Sequence, residues 1–455
     1  MSHIVLVNPQ MSFKTPPKHD SYIKQGLALI SSCLKERGHK VSLVDFRLCN
    51  DFNDATTKIN SEHPDMVCIT AFSSEKDDAI LVAKAIKSIR PNTVVIVGGI
   101  HASIRPEDYV NAGCFDYVVR GEGEITVPQL IETGKRQRET IVLWGETPDL
   151  DSLPFADREL WSDYKDRVSN PPSYVPTKSW VEVISSRGCP YHCRFCSAHG
   201  ERDHFTHLLP SGSRVPYIRG RSVENVIKEL KELDEKYHYT GIQFLDDQWI
   251  MNSKWMWNFC DELEKAGLSG KDWWIGTRVD VLLRNKDLML RIKEVTNTVM
   301  VSLGWESFSQ YHLDFWEKET TVEQNYDAVK FLRQSGFKIF GNVIMGAPRE
   351  DGKWYKEDDE KNISAMKEIQ PDVMSWSIFT ASPGCDLEKW CIENNLSSAH
   401  NTGFRSACES KIHGVNWRWI RYHMRPMTNG RSIQKKGYDT LLDIYDRIMM
   451  KIEGW

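Results

Sequence analysis

The chain has 455 residues, of which 40% are hydrophobic and 27% charged, a composition typical of a globular protein with two or three domains. Its formal net charge of −5 argues against a nucleic-acid-binding protein, and no apolar run is long enough to span a bilayer. Eleven cysteines, an odd number in a long chain without a signal peptide, predict reduced thiols and a cytoplasmic protein.

Predicted strands and helices alternate through residues 1–135. Continuous apolar strands separated by helices are typical of a parallel sheet that is covered on both faces. The sequence therefore predicts a Rossmann-like α/β domain. The strands are predicted at residues 3–8, 40–45, 65–70 and 93–99, and the helices at 22–37 and 76–89.

Polar residues and glycines follow these predicted strands, and ligands of parallel sheets bind at the carboxyl ends of strands. Gly98 and Gly99 would let a ligand approach the backbone closely, although a tight turn explains them equally well. No G-x-G-x-x-G motif follows the first strand, which argues against a dinucleotide site.

The next segment, residues 136–180, changes in character and predicts a linker. Its prolines interrupt any long helix or strand. The segment is either a connector between two domains or a simple surface linker. The prolines are Pro148, Pro154, Pro171, Pro172 and Pro176.

Residues 181–385 again alternate predicted strands and helices. Six strands with helices between them predict an open, partial (β/α)6 barrel, whose active site would lie at the carboxyl ends of the strands. A small, mainly helical region follows at residues 386–455. The six strands are predicted at residues 181–185, 241–245, 273–277, 298–303, 339–344 and 373–378.

Three cysteines follow the first of these strands. Cys189, Cys193 and Cys196 have C-x3-C-x2-C spacing, with Phe195 before the last. Three thiolates on one loop can hold three irons of a cubic [4Fe-4S] cluster and leave the fourth iron open. A structural zinc site is the alternative, and it would recruit a fourth ligand from His192, His199 or His204.

Charged residues follow the later strands of the predicted barrel. Asp246 and Asp247 come after the second strand, Arg278 after the third and Glu306 after the fourth. The aspartates could also cap a helix or lie in a solvated loop, and Glu306 could belong to an ion pair within the barrel. The turn that begins at Gly346, after the fifth strand, is explained as well by a plain turn as by a ligand contact.

Together these patterns resemble the cobalamin-dependent (class B) radical S-adenosylmethionine (SAM) methyltransferases, over about residues 1–390. The D-x-H-x-x-G motif that supplies a lower histidine ligand to cobalt in the wider cobalamin family is absent after the first strand. His19 and His101 lie nearby, but each is better explained as a solvated or structural histidine. The matching stretches are 70–74, 97–101, 119–124, 189–196, 244–247, 303–307, 341–350 and 381–384.

The resemblance implies three cofactors, a [4Fe-4S] cluster, SAM and cobalamin, together with an external electron donor. It places the cluster on Cys189, Cys193 and Cys196. It implies that SAM is contacted by Phe195, Asp246, Asp247, Arg278, Ser302, Glu306 and Asn342. It implies that cobalamin is contacted by Asn8, Pro9, Thr70, Ser73, Ser74, Gly98, Gly99, His101, Gly121 and Glu122.

The expected activity is methylation of an unactivated carbon through a 5′-deoxyadenosyl radical and methylcobalamin. A peptidyl substrate is favoured, such as a glutamine of methyl-coenzyme M reductase, and a natural-product or lipid precursor is the alternative. Radical cyclisation or rearrangement without methyl transfer stays open, as does a cobalamin- or cluster-binding regulator without turnover. Cys385, Cys391 and Cys408 are irregularly spaced and are interpreted as unligated thiols rather than ligands of a second cluster.

Overall fold

The computed structural model describes residues 2–13, 22–172, 175–198, 217–250, 252–396, 412 and 414–424. These residues form two compact units. The first unit contains the described residues up to 172 together with 217–222, and the second contains the rest. His19, His199, His204, Cys408 and most of the predicted C-terminal region lie outside the described residues.

The first unit is built on a six-stranded parallel sheet with the order β2-β1-β3-β4-β5-β6. The strand order reverses between β1 and β3, and ligands of doubly wound sheets bind at such a switch point. Strand β1 is almost completely buried because the sheet is covered on both faces. The strands are β1 His3–Asn8, β2 Lys40–Asp45, β3 Met66–Thr70, β4 Val94–Gly98, β5 Tyr117–Arg120 and β6 Ile141–Trp144.

Helices connect these strands, and the helix predicted at 76–89 has the bounds Lys76–Ile89. The predicted helix 22–37 is shorter at both ends: it begins at Gln25, after Lys24 in an extended conformation, and ends at Glu36, before Gly38 with φ +77° turns the chain. The α-helices of this unit are Gln25–Glu36, Phe52–Ser61, Lys76–Ile89, Ile100–Ile104, Pro106–Ala112, Thr126–Thr133 and Tyr164–Ser169. Short 3₁₀ helices lie at Phe46–Leu48, Ser73–Glu75, Leu150–Ser152 and Arg158–Leu160.

The segment predicted as a linker contributes the last strand of this sheet. Strand β6 pairs in parallel with β5, from Tyr117 opposite Ile141 to Arg120 opposite Trp144. The strand has four residues and its first two are exposed, as befits the edge of a sheet. The prolines later in the segment obscured this short apolar run in the sequence. Because the strand belongs to the sheet, the first unit continues beyond the predicted boundary at residue 135.

The second unit is built on six parallel strands in the order β14-β13-β12-β11-β10-β7, so that strands adjacent in the sheet follow one another along the chain. Two short strands, β8 (Ser186–Arg187) and β9 (Arg219–Gly220), come between β7 and β10 in the sequence. The order confirms the predicted partial (β/α)6 barrel. Its strands are β7 Trp180–Val183, β10 Gly241–Phe244, β11 Lys271–Arg278, β12 Thr296–Glu306, β13 Lys338–Met345 and β14 Val373–Ile378.

The helices of the second unit pack apolar stripes against the sheet, as in Val223–Tyr237, where the predicted stripe from Val223 to Leu233 is buried. None of the helices in the described part of the chain combines the length and the apolar character needed to cross a bilayer. The helices are Val223–Tyr237, Ser253–Lys265, Val279–Arg284, Lys286–Val295, Gln310–Phe315, Val322–Gln334, Lys356–Ile369, Asp386–Glu393 and Trp417–Met424.

Candidate active site

A cavity of about 370 Å³ lies in the second unit, around the carboxyl-terminal halves of strands β11 to β14. Its size falls within the range of about 300–1,000 Å³ typical of small-molecule sites. Four charged residues line it: Asp247, Arg278, Glu306 and Lys318. Neutral polar residues complete much of the wall: Gln248, Thr277, Ser302, Asn342, Ser375 and Ser377.

Five of the seven residues predicted to contact SAM line this cavity, namely Asp247, Arg278, Ser302, Glu306 and Asn342. The Nδ2 of Asn342 donates to the Ser302 hydroxyl at 2.9 Å, so these two neighbours on adjacent strands are fixed together. Phe195 and Asp246 are not among the lining residues, and both contact other parts of the unit.

Asp246 holds the entrance to the cysteine loop. Its carboxylate accepts from the Ser185 backbone N–H at 3.1 Å, from the Ser185 hydroxyl at 2.7 Å and from the Ser186 hydroxyl. Burial raises the pKa of Asp246 to about 6, although these hydrogen bonds favour the ionised form. The structure thus engages Asp246 in supporting the loop, and not in the cavity wall where a contact with SAM was predicted.

Asp247 touches both the loop and the cavity. Its Oδ2 accepts from the backbone N–H of Gly188, the residue before the first cysteine, at 3.0 Å. Burial raises the pKa of Asp247. Because successive residues after a strand point in different directions, one aspartate of the pair faces the loop and the other reaches the cavity.

The three cysteines lie on one loop. Cys193 is 8% exposed, and Cys189 and Cys196 are partly exposed. Burial raises the pKa of Cys196 to about 12, and a metal bound by the loop would favour its thiolate. Phe195 packs against Trp316, with ring centroids 5.3 Å apart, and anchors the end of the loop.

Three thiols on one loop are a donor set that suits a cubic iron–sulfur cluster. Among the described residues, no three His, Cys, Asp or Glu side chains converge on one metal position. A zinc site needs its ligands about 2.0–2.3 Å from one ion, whereas a cubic cluster bonds each thiolate to a different iron. His192, one of the histidines considered for zinc, contacts Asp386 through Nε2 at 3.1 Å.

Arg278 joins the loop to the cavity. Its Nη1 donates to the Cys193 sulfur at 3.1 Å, its Nε donates to Asp280 at 2.9 Å, and its Nη2 donates to the Lys318 carbonyl. The side chain also lines the cavity. A molecule bound in the cavity would therefore lie beside a cluster carried by the loop.

Glu306 and Lys318 form a charged pair in the cavity wall. Their charged atoms are 3.7 Å apart, and the side chains are 18% and 3% exposed. Burial raises the pKa of Glu306, and the charge of Lys318 opposes that rise. Glu306 has φ +62°, a left-handed conformation that is uncommon for a residue other than glycine and is often found at functional sites.

Lys318 was missed in the sequence because it stands between Glu317 and Glu319, a pattern typical of a solvated surface. Both glutamates have positive φ, +49° and +57°, and the turn they form directs Lys318 inward. No periodicity in the sequence signals such a turn. Gly304 gives the pair its space, since a Cβ there would lie 2.6 Å from Glu306 Oε1.

The turn that begins at Gly346 after β13 is held by a buried carboxylate. The Gly346 N–H, at φ +73°, donates to both oxygens of Asp359 at 3.0 Å, and Trp354 Nε1 donates to Oδ2 at 2.8 Å. Burial raises the pKa of Asp359 to about 7. These bonds support the interpretation of this segment as a turn.

In the first unit, two glycines stand where strand β4 ends, Gly98 as its last residue and Gly99 after it. Gly99 has φ +98°, and a Cβ on it would lie 2.9 Å from both the Ala71 carbonyl and the Thr70 hydroxyl. A glycine is therefore required at this position. The close packing of this turn against Thr70 and Ala71, near the switch point of the sheet, shapes the strand ends at which ligands of such sheets bind.

His101 and Ser73, both predicted to contact cobalamin, contact each other. His101 is fully buried, with Nδ1 3.0 Å from the Ser73 hydroxyl and Nε2 3.0 Å from Asp108 Oδ2. Burial lowers the pKa of His101. With both ring nitrogens engaged, His101 is structural, and the structure gives no lower cobalt ligand at this position.

The remaining predicted cobalamin contacts differ in accessibility. Asn8 is buried and donates to Asp45 Oδ1 at 3.0 Å, so its side chain belongs to the interior of the unit. Pro9 is buried and Ser74 is exposed. The Gly121 N–H donates to the Ser103 hydroxyl at 2.8 Å, and the Glu122 carboxylate pairs with Arg219.

This fold and site define a radical SAM enzyme that is preceded by a cobalamin-binding domain. Residues 20–131 match the B12 binding domain family, and residues 183–360 match the radical SAM superfamily. An uncharacterised methyltransferase of Pyrococcus horikoshii is 33% identical over 390 residues, covering 82% of this chain and 79% of that protein.

Two further comparisons agree with this class. The anaerobic magnesium-protoporphyrin IX monomethyl ester cyclase of Rubrivivax gelatinosus is 28% identical, covering 79% of this chain and 65% of that protein. The structure of the cobalamin-dependent SAM radical enzyme OxsB with aqua-cobalamin and SAM bound is similar in fold, with a TM-score of 0.67 and 16% identity, covering 99% of this chain and 71% of that one.

The chain belongs to the cobalamin-dependent radical SAM methyltransferase family. It is an enzyme of the class that uses cobalamin, SAM and a [4Fe-4S] cluster, as the resemblance in its sequence implied. The predicted α/β architecture, a Rossmann-like domain followed by a partial barrel, is confirmed.

Proposed function

We propose that this protein methylates an unactivated carbon, with the cluster on Cys189, Cys193 and Cys196 and with SAM in the cavity of the second unit. The observation that carries the proposal is the position of Arg278, which donates to the Cys193 sulfur and also lines the cavity. When bound, the cluster supplies the electron that cleaves SAM, and cobalamin supplies the methyl carrier.

The cavity residues divide the recognition of SAM among themselves. Asp247 accepts from the amino group, since a bound ammonium needs carboxylate acceptors. Arg278 retains N–H groups beyond its three protein contacts, and a guanidinium suits a carboxylate. Glu306, held by Lys318, accepts from the ribose hydroxyls, and Ser302 with Asn342 forms a neutral polar wall.

The first unit holds cobalamin at the carboxyl ends of its strands. Support comes from the family match over residues 20–131 and from Gly99, which lets the ends of β3 and β4 pack closely near the switch point of the sheet. Because His101 is engaged by Ser73 and Asp108, we infer that this histidine does not bind cobalt.

Anaerobic reconstitution with iron, sulfide, cobalamin, SAM and a one-electron reductant tests the assignment. We expect 5′-deoxyadenosine and S-adenosylhomocysteine from the wild-type protein, and no 5′-deoxyadenosine in excess of the blank from Cys193→Ala. A fully loaded protein that forms no 5′-deoxyadenosine would refute radical chemistry. Full product formation by Cys193→Ala would refute the cluster assignment.

Radical cyclisation is the second candidate, favoured by the similarity to the Rubrivivax cyclase. The same assay separates the two functions, because cyclisation yields 5′-deoxyadenosine without S-adenosylhomocysteine.

The substrate is proposed to be a peptidyl side chain such as a glutamine. Mass spectrometry of proteins from a deletion strain and its parent tests this, and a methyl gain on a small molecule alone would overturn it.

A further inference from the structure

Arg278 is the last residue of strand β11 and is 7% exposed. Its guanidinium donates hydrogen bonds in three directions: to the Cys193 sulfur at 3.1 Å, to Asp280 at 2.9 Å and to the Lys318 carbonyl. Three separate partners fix both the position and the plane of the group. The hydrogen bond to sulfur is therefore built into the fold.

A ring of contacts secures this arrangement from the side of the cysteine loop. Tyr191, between the first two cysteines, lies over the guanidinium with its ring centre 3.7 Å from the Arg278 carbon Cζ. The Tyr191 hydroxyl accepts from Arg284 Nη2 at 2.9 Å, and the same nitrogen pairs with Asp280 at 3.0 Å. These contacts form a closed ring of four residues, which we call the arginine ring: Arg278, Asp280, Arg284 and Tyr191.

Within the arginine ring, Arg278 is the residue that reaches a cysteine sulfur. The reduction potential of an iron–sulfur cluster depends on its surrounding charge, on hydrogen bonds to its sulfurs and on solvent exposure. A cationic N–H donor stabilises the form of the cluster with more negative charge, which is the reduced form. Burial limits the screening of this interaction by water and salt.

We propose that Arg278 raises the reduction potential of the cluster by donating a charged hydrogen bond to Cys193, and that Asp280, the Lys318 carbonyl and the aromatic ring of Tyr191 keep the guanidinium in place. This inference rests on the proposed assignment of the cluster to Cys189, Cys193 and Cys196. The step concerned is the addition of one electron to the cluster by a low-potential one-electron donor, and no bond forms or breaks in it.

Potentiometric titration monitored by electron paramagnetic resonance tests the proposal, with dithionite as donor and the reconstituted full chain without SAM. We expect the midpoint potential to shift to more negative values in Arg278→Leu. In Arg278→Lys, which keeps the charge but cannot match the three directions, we expect a smaller negative shift.

Tyr191→Phe is the matched control, because it keeps the ring over the guanidinium and removes the hydroxyl that contacts Arg284. Its midpoint is expected to stay near that of the wild type. A shift in Tyr191→Phe as large as that in Arg278→Leu would overturn the proposal, since loosening of the loop would then explain both.

An unchanged midpoint in a fully loaded Arg278→Leu protein would also overturn it. If Arg278→Leu holds no cluster, Arg278→Gln is titrated instead, because glutamine keeps N–H donors and loses the charge. An unshifted midpoint potential in Arg278→Gln contradicts the proposal. Failure of the wild-type chain to bind a cluster would instead refute the proposed function, so the two failures are distinguishable.

Discussion

Replacement of Lys318 by methionine tests the charged pair in the cavity wall. The Lys318 ammonium lies 3.7 Å from the Glu306 carboxylate, and its side chain is 3% exposed. At this distance and an effective dielectric constant of about 20, the Coulomb attraction is about 4 kcal/mol. Glu306 keeps 18% of its side chain exposed, and Arg278 also acts on it, so we expect Lys318→Met to lower the free energy of unfolding by about 2–3 kcal/mol.

The assay is equilibrium unfolding of the cluster-free protein under anaerobic conditions, combined with SAM binding to the reconstituted protein by equilibrium dialysis. The double variant Lys318→Met with Glu306→Gln removes both charges with little change in volume, so we expect it to regain most of the lost stability. Its affinity for SAM should stay reduced, because the carboxylate that we assign to the ribose is absent.

Two results would refute this reasoning. A Lys318→Met protein as stable as the wild type would mean that the two charges are not coupled. A double variant as unstable as Lys318→Met would mean that the loss comes from packing of the lysine side chain and not from an uncompensated carboxylate.

Three further predictions follow from glycines and from one buried acid. Gly304→Ala should weaken SAM binding at least tenfold, because its Cβ would lie 2.6 Å from a carboxylate oxygen of Glu306 that must move. Gly26→Ala, in the helix Gln25–Glu36 of the first unit, is the control, because its Cβ meets nothing within 4 Å and Gly26 does not line the cavity. Equal losses of SAM binding in equilibrium dialysis would contradict the assignment. Gly99→Ala should destabilise the first unit by about 1–3 kcal/mol and abolish cobalamin absorbance on the protein. Gly98→Ala is the control and should fold normally, because its Cβ would lie 3.5 Å from the nearest atom. Equal stability of the two variants in thermal unfolding would show that the positive φ of Gly99 is not required. Since the pKa of Asp359 is raised to about 7, its contribution favours the folded state fully below about pH 4 and is lost as the pH rises through 7. Asp359→Asn removes this dependence, so its stability relative to the wild type should increase by about 3 kcal/mol from pH 5 to pH 8, and parallel pH profiles in denaturant unfolding would refute the shift.

The sequence predicted several residues that line the cavity, because strand ends can be read from the ends of apolar runs. Arg278 and Glu306 were placed in this way, and both line the cavity. It could not predict most of their partners, which come from other segments of the chain. Lys318 lies in the cavity because of the backbone turn around it, and Tyr191 stacks on Arg278 because the cysteine loop folds back over strand β11.

The same limit explains the first unit. The strand ends at Thr70 and Gly99 were predicted, and the structure brings them within contact of each other. Whether a polar residue faces a ligand or the interior depends on tertiary hydrogen bonds that no local pattern records. Asn8 bonds to Asp45, and His101 bonds to Ser73 and Asp108, so both are committed within the unit.

Three carboxylates at the strand ends of the barrel perform different tasks because their surroundings differ. An ionised carboxylate offers about four acceptor positions, and Asp246 uses three of them on Ser185 and Ser186. Asp247 accepts from Gly188 and lines the cavity, so it retains acceptor capacity for a bound ammonium. Glu306 is balanced by a lysine and turned toward the cavity by its left-handed backbone. The adjacent aspartates therefore divide support of the cysteine loop from the cavity wall, where we propose that Asp247 recognises SAM, although nothing in their sequence distinguishes them.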